Sequence, residues 1–214
     1  MNHDAGKMYL EYFAKELLET LVPEKYADIR NDESPDLRMG NDYGIEVTEA
    51  MSDNQGQAIG IFSRIHGKKI AQVDPRHIRT LDRIRAKIFV TSQGIIYGLH
   101  LHNARNGFSC DDMVSAYCKK KELQFGTKHT DLFVYTTHIQ SDKCIGRDKI
   151  MEYFESLNDD LDNPFDHLIV FEEPTLYLYD FLQKTMLLRR GTKEQITSCK
   201  LAADSYSDWS KRYS

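Results

Sequence analysis

The chain has no apolar run approaching the length of a membrane span, and its start, Met1-Asn2-His3-Asp4, has no basic stretch followed by an apolar one. We therefore expect neither a spanning helix, a signal peptide nor a membrane partner. Cysteine is scarce. Cys110, Cys118, Cys144 and Cys199 form no close pair of the zinc-ribbon kind, and such spacing reads as reduced thiols in a cytoplasmic protein. A Walker loop, a GxGxxG turn and a GxSxG elbow are all missing, which argues against the commonest nucleotide-binding and serine-hydrolase designs. There is no internal repeat, low-complexity segment or flexible linker either. The 214 residues, 41% apolar and 29% charged, are accordingly read as one soluble domain with room for a substantial core.

The net charge of −5 conceals a separation. From Arg64 to Lys87, eight Lys or Arg (Arg64, Lys68, Lys69, Arg76, Arg79, Arg83, Arg85, Lys87) face only Asp74 and Asp82, so this stretch is +6 and the remainder −11. Such a stretch is either a solvated helix face or a basic lip that attracts a polyanion.

Periodicity predicts a helix over about 4–22, a short strand over Tyr26–Arg30, strands over Asp36–Met39 and Ile45–Ala50, and a helix from Ser52-Asp53 to about Gly67. A basic helix over Pro75–Arg85 and strands near Ile88–Thr91 and Ile95–Leu99 follow. Helices are predicted from Asp111 or Asp112 to Phe125, over Arg147–Leu157 and over Thr192–Tyr206. Leu132–Tyr135 and His167–Phe171 have the continuous apolar character of buried central strands, and Leu176–Phe181 is a last strand. The expected fold is α/β, a mixed central β-sheet flanked by helices, with 51–109 as an insertion within the single domain 1–214.

Two carboxylates stand out. The turn-rich Gly40-Asn41-Asp42-Tyr43-Gly44 joins Asp36–Met39 to Ile45–Ala50 as a hairpin, which can set Asp36 beside Glu46 if both face the same way. Close carboxylates repel unless a cation lies between them, and oxygen-only ligation suits Mg²⁺ or Mn²⁺.

In this order of elements the chain resembles the PD-(D/E)XK nuclease superfamily, the restriction-endonuclease-like fold. Pro35-Asp36 matches its PD and Glu46-Val47-Thr48 its (D/E)XK, ten positions on. The resemblance implies that Asp36, Glu46 and the Val47 carbonyl hold the divalent ion, which polarises a phosphate and activates a water. It also implies a lysine that orients the water and offsets charge, and a Glu from the first helix aimed at the metal. Thr48 stands where that lysine belongs. Either the lysine comes from elsewhere or the chain no longer cuts.

For a substitute lysine, Lys121 shares a helical stripe with Val114, Cys118 and Phe125, whereas Lys119 and Lys120 point away. A buried ammonium needs an acidic partner, so Lys121 either meets the acidic site or lies at the edge of the stripe and reaches water. The resemblance, in which this helix carries lysines, implies the former, with Lys119 second. Among the first-helix carboxylates, Glu19 lies opposite the apolar stripe and Glu11 and Glu16 flank it; Glu16, nearer Asp36 in sequence, is preferred. Glu49 alternates away from Glu46. His100 and His102 share a strand face without a third ligand, and Tyr177 and Tyr179 read as sheet packing.

These readings lead to an expected Mg²⁺- or Mn²⁺-dependent nuclease on nucleic acid, DNA ahead of RNA. Asp36, Glu46, Lys121 and Glu16 would form its catalytic set, and Arg64, Lys68, Lys69, Arg79, Arg83 and Arg85 would hold the polyanion. The alternative is a decayed module of the same fold that binds nucleic acid or protein. A homodimer is left open.

Overall fold

A computed structural model describes residues 5–50, 53–101, 111–120, 126–136, 148–161 and 164–207. The chain divides into two compact units, one formed by Met1–Ala50 with Phe108–Arg212, the other chiefly by Met51–Gly107.

The larger unit begins with α1 (Ala5–Leu21), whose Phe13, Ala14, Leu17, Leu18 and Leu21 recur at helical spacing and are all buried. The strand expected over Tyr26–Arg30 is not formed. The Lys25 and Tyr26 amides instead donate to the Val22 carbonyl, at 3.1 and 2.9 Å, and Asp28 adopts a left-handed φ of 58°, which interrupts extended backbone. Only Arg30–Asn31 (β1) pairs, with β2 (Leu37–Met39), which turns into β3 (Tyr43–Glu49).

The smaller unit comes next in the chain, with α2 (Asp53–Ile65), α3 (Pro75–Arg83) and an antiparallel hairpin of β4 (Ala86–Val90) and β5 (Ile96–Leu101). Asp74 caps α3 by accepting the Arg76 amide at 2.8 Å, with Pro75 in the first helical turn. Ala58, Ile61, Ile65, Val73, Leu81, Ala86 and Ile96 close its core.

The chain then returns through α4 (Asp111–Lys120) to β6 (His129–Thr136), and through α5 (Asp148–Asp159) to β7 (His167–Glu172). The strands β8 (Thr175–Asp180) and β9 (Thr185–Arg190) and helix α6 (Lys193–Ser207) complete the described residues. The mixed sheet runs β1-β2-β3-β6-β7-β8-β9, with β3, β6 and β7 mutually parallel and the outer pairs antiparallel. The alternation of a strand sorts its residues. Ile45, Val47, Phe133, Ile169 and Phe171 pack with α1 and α6 on one face. Leu132, Val134, Leu168 and Val170 pack with α4 and α5 on the other.

β9 was not expected. Thr185-Met-Leu-Leu-Arg-Arg has a single β-branched residue and ends in charge, so propensity and pattern are both weak. Its pairing with β8 creates it. Among the described residues no helix is long and apolar enough to cross a membrane.

Candidate functional site

The register of the first hairpin sets Leu37 against Ile45 and Arg38 against Gly44, and Asp36, immediately before β2, has its carboxylate next to that of Glu46. Gly44 is required here. Its place is against Pro35, whose Cγ would lie 2.2 Å from any added Cβ. The Pro35 ring thus packs directly on β3 and carries Asp36 with it.

Asp36 and Glu46 are 2% and 4% exposed. The Val47 amide donates to Asp36 Oδ2 at 2.9 Å, fixing the carboxylate with a backbone group of the neighbouring strand. Burial raises the Glu46 carboxyl, the adjacent Asp36 raises it further, and Lys120 pulls it back, leaving it up at about 7. Lys120 Nζ donates to Glu46 Oε1. Within its range α4 turns Met113, Ala116 and Tyr117 inward, all buried, and Lys120 continues that stripe by one turn.

This corrects the phase expected for the helix. Val114 and Cys118 flank the buried stripe instead of forming it, so Lys120, expected to point away, is the lysine that meets the carboxylates. Lys121 lies outside the described residues, and Lys119 is exposed.

Glu16 is not brought to the pair. α1 lies on the sheet face of Ile45 and Val47, whereas Glu46 points to the α4 face. Glu16 lies 3.5 Å from Lys15 and close enough to Cys199 of α6 to affect its thiol. The buried carboxylate of α1 is Glu11, at 6% exposure. Glu19 is not merely solvated, since it accepts the Ile29 amide at 2.9 Å and Lys15 at 2.6 Å. Thr48 shares the Glu46 side of β3 by alternation. Glu49, on the opposite side, is pushed up to about 7 by burial.

Asp36 and Glu46 could hold a hard cation, since both are oxygen donors confined side by side. Among the described residues no group of three or more His, Cys, Asp or Glu is arranged around a metal position. A cation there would need the Val47 carbonyl, water or substrate oxygens as further ligands.

Arg64, Lys68, Lys69, Arg79, Arg83 and Arg85 are all exposed and all belong to the Met51–Gly107 unit. Arg79 and Arg83 share one face of α3 with Arg76, opposite the buried Leu81.

A second polar cluster escaped sequence reasoning. Asp131 is completely buried and accepts three hydrogen bonds. Tyr26 Oη donates at 2.5 Å and Tyr43 Oη at 2.7 Å, both to Oδ2, while His167 Nδ1 donates at 2.7 Å to Oδ1. That assignment leaves His167 Nε2 to accept from Lys25 Nζ at 2.5 Å. Burial pushes the Tyr26 and Tyr43 hydroxyls far upward, with Asp131 adding to it, and lowers the Lys25 amine against the pull of Asp131, Asp180 and Asp166. The five residues come from four separated segments, and only Asp131 at the head of the apolar run Leu132–Tyr135 hinted at them.

Comparison with protein-family models, with curated proteins and with solved structures finds no match for the chain.

Proposed function

We propose that the protein hydrolyses phosphodiester bonds in nucleic acid, DNA ahead of RNA, using Mg²⁺ or Mn²⁺ held by Asp36, Glu46 and the Val47 carbonyl. The observation that carries this reading is the burial of Asp36 and Glu46 side by side with Lys120 on Glu46. The succession α1, β1, β2, β3, then α4 and a β6 parallel to β3 supports the resemblance to the PD-(D/E)XK superfamily, with the smaller unit inserted between β3 and α4.

The bound ion would polarise the phosphate and lower the pKa of the attacking water. The chain's own groups have distinct tasks. The Val47 amide keeps Asp36 in one orientation beside Glu46. Glu46 and Asp36 confine the cation. Lys120 takes the place that Thr48 leaves vacant, bringing a positive charge where negative charge develops on the phosphate oxygens. The exposed arginines and lysines of residues 64–85 attract the polyanion.

The same ion pair favours a second reading. Lys120 already neutralises Glu46, so the pair is satisfied without a cation, and the protein would then bind nucleic acid or protein without cutting. Manganese titration by calorimetry and cleavage of labelled DNA separate the two. Wild type is expected to bind Mn²⁺ and cut, Asp36→Asn to do neither. Lys120→Met is expected to bind Mn²⁺ but cut ~100-fold slower. A wild type that neither binds Mn²⁺ with DNA present nor cuts DNA or RNA selects the second reading.

A further inference from the structure

The Met51–Gly107 unit spends its aromatic residues unusually. It has three Phe or Tyr, and only Phe62 packs against its core. Phe89 and Tyr97 are 47% and 56% exposed, and lie together on the β4–β5 ribbon with ring centroids 6.2 Å apart. His100 extends the group, 6.4 Å from Phe89.

The backbone explains how Phe89 is presented. Phe89 pairs with Gly98 across the ribbon, and a Cβ on Gly98 would come within 3.1 Å of Phe89 Cδ2 and 3.4 Å of its Cβ. Gly98 thus lets the ring lie across the strand, one side on backbone and the other outward. Burying the ring over a glycine stabilises a ribbon, but this does not account for Tyr97 beside it.

Positive charge frames the platform through fixed backbone positions. Lys87 lies two residues from Phe89 on the same strand side and pairs with His100. On the other margin, the Ile96 amide donates to the Lys68 carbonyl at 3.0 Å and Lys69 bridges Ile95, which anchors both lysines one or two residues from Tyr97. Arg85 and Lys87 further line an open depression with Asp82 and Ala86. The unit as a whole has nine Lys or Arg against three Asp and no Glu.

We propose that the Phe89–Tyr97–His100 surface binds single-stranded nucleic acid, stacking unpaired bases on Phe89 and Tyr97 while Lys68, Lys69 and Lys87 take the flanking phosphates. Exposed rings stack any base, and adjacent cations hold the backbone, so the combination favours single strands over duplex. The excess of lysine and arginine over aspartate in the unit suits a polyanion's phosphates. This inference rests on the nucleic-acid reading above and narrows its substrate to strands with unpaired bases.

The test uses the full chain as Asp36→Asn in EDTA, so that binding is read without cleavage. A labelled oligo-dT strand and a duplex of equal length are titrated by fluorescence anisotropy, with circular dichroism as the folding control. The strand is expected to bind tighter than the duplex. Phe89→Ala with Tyr97→Ala should weaken strand binding about tenfold or more, at an unchanged salt slope. Phe89→Trp should retain binding. Lys68→Gln, Lys69→Gln and Lys87→Gln together should flatten the salt slope by about two. Equal strand binding by the double alanine variant overturns the proposal. So does a wild type that self-associates in light scattering and becomes monomeric in that variant without strand affinity. Cleavage by wild type in Mn²⁺ is scored separately: strand binding without cutting sinks only the nuclease reading, and cutting with a dispensable platform sinks only this one.

Discussion

Two residues of β3 show how tightly single positions constrain the hairpin. Glu49 has its carboxyl raised to about 7 by burial, above the usual value near 4.3. The native state therefore holds its proton more strongly than the unfolded chain. The stability this residue allows is complete below about pH 4 and declines as pH rises through 7. Glu49→Gln should leave urea stability unchanged at pH 4 and raise it at pH 8 by about 2 kcal/mol, because partial exposure screens some of the shift. An equal effect at both pH values would mean that Glu49 is not desolvated. Gly44 is constrained by shape. Gly44→Ala drives a Cβ into Pro35, and a core clash costs roughly 1–3 kcal/mol. We expect a lower melting temperature together with loss of Mn²⁺ affinity, since Pro35 carries Asp36. Wild-type metal binding in this variant would show that the hairpin absorbs the clash elsewhere.

At the level of elements, the Asp131 cluster ties the turn after α1 to β3, β6 and β7. Asp131→Ala strands Tyr26, Tyr43 and His167 without their acceptor, and leaving buried donors unpaired around a lost charge costs on the order of 3–5 kcal/mol. Lys25→Ala removes only the outer, half-buried member and should cost less than half as much. Urea midpoints of the two variants test this order. Sequence reasoning missed the cluster because its members meet only through the fold. It found the Asp36–Glu46 pair because a hairpin is local and ten positions with a turn fix the register. The α4 stripe lay between these extremes. Its existence was legible but its phase was not, since Ala116 and Tyr117 suit either side of a helix, whereas Val114 and Cys118 look apolar and lie at the margin. That phase brings Lys120 to Glu46. β1 and β9 were misjudged because neighbours make them strands and their own composition does not.

On the scale of the whole molecule, charge and cores are divided between two units. The Met51–Gly107 unit has its own small core, and at roughly 60 residues such a unit buries only about 60% of its unfolded surface. It should open before the larger unit does. Hydrogen exchange in rising urea is expected to release amides of α2, α3, β4 and β5 while β3, β6 and β7 remain protected. A single transition shared by all of these would show that the units are energetically one. Composition revealed the basic stretch, but nothing in it told that two of three aromatic side chains would stand outward, because exposure is a property of the packed ribbon.

The pairing of β3 with β6 also has a consequence in time. Both strands are central, yet the smaller unit and α4 are made between them. At about 5–20 residues per second, a ribosome needs on the order of 4–17 s to proceed from Glu49 to Thr136. Within that interval Lys120 is the last of the three site residues to be synthesised, after Asp36 and Glu46. Both carboxylates thus leave the ribosome before their counter-charge, and β3 cannot meet its parallel partner β6 until the whole basic unit has been made between them.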